Sequence, residues 1–97
     1  MTKPKPMDYR MPVIVREGGW SIWIYLNDHA PPHVHVRRRG GTNIKILLPS
    51  ADKPVEIVNW KKVDSRQVLV AARLVIANAS LLINAWERIH GLSADHR

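Results

Sequence analysis

Three of the five histidines in this 97-residue chain fall within seven positions, at His29, His33 and His35. Asp28 directly precedes His29, and the pair Pro31-Pro32 separates His29 from His33 and His35. The alternating pattern that begins at His33 predicts a β-strand, so His33 and His35 should project from one face with Cβ atoms about 6–7 Å apart. His29 or Asp28 joins them only if the proline-stiffened loop folds back.

One chemistry that suits these residues is acid–base catalysis. Histidine titrates near neutrality, so His33 and His35 could serve as general acid and base on a phosphodiester without a metal. Asp28 would orient one imidazole, and His29 is a further catalytic candidate. Neighbouring arginines would hold the phosphate and stabilise negative charge. These residues therefore predict a small ribonuclease-type site.

Two other interpretations of the histidines stay open. His33 and His35, with His29 or else Asp28 as the third, could supply three ligands to a divalent metal and leave a fourth position free, as in catalytic zinc sites. Alternatively the prolines simply fix a turn, and the histidines are solvated on the open face of a sheet. We expect no cofactor, with a divalent metal at His29, His33 and His35 as the alternative.

The charge of the chain suggests a polyanionic partner. The formal net charge is +7 and the pI is about 10.4, and a basic surface attracts nucleic acid, acidic proteins and anionic lipid. Trp23 and Tyr25 share a strand face and could stack on bases, or they could pack beneath a helix or a dimer mate. The candidate nucleic-acid-binding residues are Arg37, Arg38, Arg39, Lys45, Trp23 and Tyr25.

The elements that must position these side chains are strands followed by a helix. A short apolar run predicts a strand over residues 11–15, and period-two alternation predicts strands over residues 20–26, 33–37 and 43–48. Residues 55–60 are expected to return as a short final strand. Apolar residues then recur at helical spacing and predict one helix of about 25 residues, capped by Asp64 or Ser65 and stopped by Gly91. The expected fold is α+β, an antiparallel four- to five-stranded meander packed against one long C-terminal helix. Residues 1–10 are expected to form a disordered basic tail, and residues 11–97 a single domain.

The predicted helix carries more apolar surface than one sheet can cover. A second band that includes Val70, Leu74 and Leu81 lies outside its main stripe. We expect this band to contact a second copy of the chain or a small cognate partner protein, although a covering segment of the same chain is the alternative. The chain has no cysteine and no apolar run of about 20 residues, so a cytoplasmic location without a membrane is expected.

The stretch from Ile22 to Val36 contains the string Asp-His-x-Pro-Pro-His-x-His. With the two strands that follow and a terminal helix ending in Trp86, it resembles the bacterial and phage family called domain of unknown function 4160. The resemblance covers about Trp20 to Gly91. It implies a small prokaryotic protein in a toxin–antitoxin-like gene pair, and it implies no catalytic residues.

Two functional hypotheses follow. The first is a component of a toxin–antitoxin-like module that binds nucleic acid, with metal-independent ribonuclease activity as a possible addition. The second is a non-enzymatic module for protein–protein interaction, in which the histidine loop is structural. Whether the protein is an enzyme is left open by the sequence.

Overall fold

The computed structural model describes residues 13–60 and 63–91, and within these ranges the chain forms five strands followed by two helices. The strands are β1 (Val13–Glu17), β2 (Trp20–Trp23), β3 (His33–Arg38), β4 (Thr42–Leu47) and β5 (Glu56–Trp60), and the helices are α1 (Ser65–Ala77) and α2 (Ala79–His90). The predicted tail, residues 1–10, lies outside the described ranges. The α+β class is confirmed.

The five strands form one antiparallel sheet in the order β1-β2-β3-β4-β5, which confirms the predicted meander. Glycine pairs make two of the turns. Gly40 and Gly41 have φ values of 100° and 105°, a region that glycine enters without steric penalty. The Gly18-Gly19 turn lies at the same end of the sheet, because successive turns of a meander alternate between its ends. The long β2–β3 loop therefore lies at the opposite end.

One face of the sheet forms the core. In the cross-strand register Ile22 is opposite Val36, and Val36 is opposite Ile44. All three side chains are fully buried, and Ala71 and Val75 of α1 belong to the same cluster. Period-two alternation assigns the intervening residues to the other face, where Trp23, His35 and Arg37 are only partly buried. We call it the open face.

The C-terminal helical region is two helices rather than the single long helix that was predicted. The break is at Asn78, and the two helix axes differ by 74°. The Asn78 side chain donates from Nδ2 to the carbonyl of Leu74 at 2.8 Å, so it competes with the helical backbone. The predicted ends are confirmed: Asp64 caps α1 by accepting from the amide of Gln67, and Gly91, with φ 79°, ends α2.

The second apolar band of the helices is only partly free. Val70 and Leu81 are exposed, at 41% and 48%, whereas Leu74 is half-buried against the core. Within the described part of the chain, neither helix alone is long and apolar enough to cross a membrane. The pair would pass that test by length and composition, but it is bent at Asn78.

Candidate functional site

Asp28, His33 and His35 come together at the loop end of the sheet. Asp28 Oδ1 lies 3.2 Å from Nε2 of His35 and 3.3 Å from Nε2 of His33. Strand β3 fixes the two histidines on one side, as predicted, and the β2–β3 loop folds back to add the carboxylate. We call these three residues the Asp–His–His cluster.

The loop anchors the carboxylate through its second oxygen. Asp28 Oδ2 accepts a hydrogen bond from the Tyr25 amide at 2.9 Å, and the Asp28 amide donates to the Tyr25 carbonyl at 3.0 Å. A local turn of this kind is common for aspartate and holds the side chain in one orientation. It leaves Oδ1 to face the two imidazoles.

His33 is the most enclosed member of the cluster, at 4% exposure. Its Nδ1 lies 2.9 Å from the Pro31 carbonyl oxygen. Because a carbonyl oxygen only accepts, Nδ1 carries the proton in this contact. The other side of the ring meets Trp86 of α2, with ring centroids 5.4 Å apart. A side chain of the open sheet face is thus covered by the last helix.

His35 is half-buried between a ring and a cation. Its imidazole stacks on the Tyr25 ring, with centroids 4.4 Å apart and an interplanar angle of 28°. The neighbouring His33 ring meets it edge to face at 5.1 Å. Lys45 is its cross-strand partner on β4. These contacts leave His35 little rotational freedom.

The surroundings of the cluster lower the pKa of two of its members, His35 and Asp28. Burial lowers the pKa of His35, and Asp28 raises it through a hydrogen bond and its negative charge. The positive charges of His33 and Lys45 lower it again. As a result, the pKa of His35 lies below its ordinary value. Burial raises the pKa of the Asp28 carboxyl. The hydrogen bonds from Tyr25 and His35, with the charges of both histidines, outweigh burial and leave that pKa below its ordinary value.

His29 lies outside the cluster. It is exposed, and the ligating atoms that lie within 4.8 Å of one another belong to Asp28, His33 and His35. Of the two loop residues that could have joined the histidine pair, the structure brings Asp28 to His33 and His35 and leaves His29 outside, because the loop turns Asp28 inward and His29 outward. The roles of Tyr25 and Trp86 as walls of the site were not foreseen.

The open sheet face also carries the expected aromatic and basic side chains. The Arg37 guanidinium lies 5.1 Å from the centroid of the Trp23 ring and 5.7 Å from that of Tyr25. Cations in such positions are attracted by the ring quadrupole. Two cross-strand rows of this face carry its basic residues, one made of Arg16, Ser21, Arg37 and Asn43 and the other of Trp23, His35, Lys45 and Asn59. A third row, at the loop end, is made of His33, Leu47 and Glu56.

The other two candidate arginines lie apart from these rows. Arg38 points to the opposite face, where its guanidinium lies 5.4 Å from the Trp20 ring centroid. Arg39 is exposed in the glycine turn. A concavity of about 470 Å³ at the turn end brings four arginines together around Glu17 and the first glycine turn; they are Arg16, Arg37, Arg38 and Arg39.

Fold and site together define a small α+β protein with an aspartate–histidine cluster on an antiparallel meander. A family model described as domain of unknown function (DUF4160) matches residues 19–87, and the chain belongs to this family. The match spans β2 to the last part of α2, and so includes the whole cluster. No curated protein and no solved structure matches the chain.

Proposed function

We propose that the protein binds single-stranded nucleic acid on the open face of its sheet. The observation that carries the proposal is the placement of Arg37 over the rings of Trp23 and Tyr25. A guanidinium and two aromatic rings on one flat surface combine a phosphate contact with a stacking platform. Such surfaces bind unpaired bases, whose ring faces are free to stack.

The charge around this face supports the same function. Arg16 and Arg37 occupy one cross-strand row and Lys45 the next, and these two rows include no acidic side chain, whereas Glu56 lies in the third row at the loop end. The arginine concavity at the turn end continues this positive surface from Arg37. A strand that stacks on Trp23 could therefore pass its phosphates toward that concavity.

Cleavage of the bound strand is a separate hypothesis. Both histidine Nε2 atoms face Asp28 Oδ1, and His33 is almost fully buried. A general acid and a general base must lie within hydrogen-bond distance of the groups that react at the scissile phosphate. Because both Nε2 atoms face Asp28 instead, this arrangement favours binding over catalysis. Metal-independent ribonuclease activity of His33 and His35 stays a prediction, which the integrity of RNA incubated with the protein and a chelator would check.

Fluorescence anisotropy with labelled RNA, DNA and duplex oligonucleotides tests the proposal. We expect single strands to bind more tightly than a duplex of equal length, and Arg37→Ala to weaken that binding about tenfold. Arg88→Ala is the matched control, because it removes the same charge from an exposed position of α2 outside both rows. Equal losses for the two variants, with no preference for single strands, would reduce the effect to net charge and overturn the proposal.

A second candidate function is self-association through the helices. The exposed side chains of Val70 and Leu81 favour it, since apolar surface of this kind is often covered in an assembly. We infer a second copy of the chain as the occupant. Light scattering should then show a dimer that Leu81→Glu converts to a monomer, and a monomeric wild-type protein at high concentration would exclude it. The toxin–antitoxin-like role implied by the family resemblance stays a prediction.

A further inference from the structure

Three potential metal-ligating atoms converge in the Asp–His–His cluster. They are Oδ1 of Asp28 and Nε2 of His33 and His35, and all lie within 4.8 Å of one another. The two distances from the carboxylate oxygen are 3.2 and 3.3 Å. Two ligands bound to one tetrahedral zinc at 2.0–2.1 Å lie about 3.3 Å apart. The two distances from the carboxylate oxygen therefore match the edge of a zinc coordination tetrahedron, and the two imidazole nitrogens lie within 4.8 Å of each other.

In its neutral form, the His33 ring cannot donate a hydrogen bond to Asp28, because its one proton is on Nδ1. With the proton on Nδ1, held by the Pro31 carbonyl at 2.9 Å, Nε2 has only a lone pair. That lone pair faces a carboxylate oxygen, which also only accepts. Two acceptors in an enclosed site repel each other unless a second ring proton or a metal ion lies between them.

The surroundings resemble the outer shell that metal ligands require. A carbonyl oxygen on the second nitrogen of a ligating histidine fixes the ring orientation, and Pro31 supplies it to His33. The Tyr25 amide fixes the carboxylate in the same way. The ring of Trp86 covers His33 and excludes water from that side. The orientation of the ligating groups is therefore set by the fold itself.

We propose that Asp28, His33 and His35 bind one divalent transition-metal ion of the zinc class. Two imidazoles favour such ions over Mg²⁺ or Ca²⁺, which prefer oxygen ligands. Three protein ligands leave at least one coordination position for water or another small ligand. Binding of the metal does not depend on binding of nucleic acid, so either proposal can fail alone.

Calorimetric titration of untagged, chelator-treated protein with Zn²⁺ tests the site. We expect one equivalent to bind, and Co²⁺ in its place to give the visible absorption of a low-symmetry site. Mg²⁺ should give no comparable heat. X-ray absorption of the zinc-loaded wild-type protein should show two imidazoles in the shell, a result that needs no variant. Substoichiometric binding, or a shell without two imidazoles, would overturn the proposal.

Variants of single residues test which side chains bind the ion. Asp28→Asn and His35→Gln should each lower zinc affinity about 100-fold or more, since even loss of an outer-shell partner costs 10–100-fold. His29→Ala is the matched control, because it removes an exposed imidazole from the same loop and should leave the affinity unchanged. Circular dichroism confirms the fold of each variant. An equal loss in the His29 variant would contradict this ligand set.

Discussion

The ring of Trp86 lies 5.4 Å, centroid to centroid, from the ring of His33, and so connects the last helix to the Asp–His–His cluster. Trp86 also stacks on His90 at 3.8 Å, one turn further along α2. With 1% of its surface exposed, it belongs to the core and to the wall of the site at once. Packing of α2 and orientation of His33 are therefore coupled.

Trp86→Ala should destabilise the protein by about 3–5 kcal/mol, because it removes a large buried ring and leaves a cavity. Urea unfolding measures the loss. Arg88→Ala is the control on the same helix, and since Arg88 is exposed, the change there should be well below that for Trp86. A small effect at Trp86 would mean that α2 contributes little to the fold.

The stability of the metal-free protein should fall as the solution is acidified from neutrality. His35 has a lowered pKa in the folded state, among Asp28, His33 and Lys45, whereas an unfolded histidine titrates near about 6.5. Between these two pKa values the unfolded chain binds a proton that the folded chain does not. The free energy of unfolding therefore rises with pH across that window and is fully present above it.

The Asp28 carboxyl should cause a second decrease in the free energy of unfolding, at lower pH. Its folded pKa is also lowered, so its contribution is present above about pH 3.9 and is lost as the pH falls through the folded value. Urea unfolding at a series of pH values would resolve both steps. His35→Gln should remove the step nearer neutrality, whereas His29→Gln should keep it. A stability that rises on acidification would contradict both assignments.

Trp23 should contribute to nucleic-acid binding through its ring rather than its N–H group. The indole Nε1 already donates to Ser21 Oγ at 2.7 Å. Trp23→Ala should weaken binding of a single strand by about 1–3 kcal/mol, the usual value for stacking of one base. Trp23→Phe keeps an aromatic face and should retain most of the affinity. Equal losses in the two variants would count against stacking.

Asp64 should matter for α1 although it is exposed. Its Oδ1 accepts from the Gln67 amide at 2.8 Å and satisfies one of the free N–H groups of the first turn. Asp64→Ala should lower the free energy of unfolding by about 1 kcal/mol. Asp52→Ala serves as control, since among the described residues that carboxylate accepts only from the Ser50 hydroxyl, in an exposed turn. The two variants have the same change in charge.

Local patterns were sufficient to predict the sheet. The alternation of apolar residues, with glycine pairs at the turns, predicted the order and pairing of the strands. The break at Asn78 was missed because the apolar stripe continues past it at helical spacing. One asparagine carries only a small helix penalty, so the side-chain bond to Leu74 that accompanies the bend could not be read from propensity.

The site was predicted in part for a similar reason. Strand geometry alone placed His33 and His35 together. Whether His29 or Asp28 joined them depended on the path of the loop, and adjacent residues point in different directions there. The burial of His33 depends on Trp86, more than fifty positions later in the chain. Contacts at that distance leave no periodic signal.

The hydrogen bonds of the cluster all lie within a short stretch, from Tyr25 to His35. Their formation therefore closes only a small loop of chain, at a low cost in entropy. The stretch is one strand junction, so its donor and acceptor pattern could be transplanted as a unit onto the hairpin of an unrelated scaffold. Such a graft would bring its own carboxylate, imidazoles and backbone supports, and would lack the indole cover that α2 provides here and the Lys45 charge that β4 places beside His35.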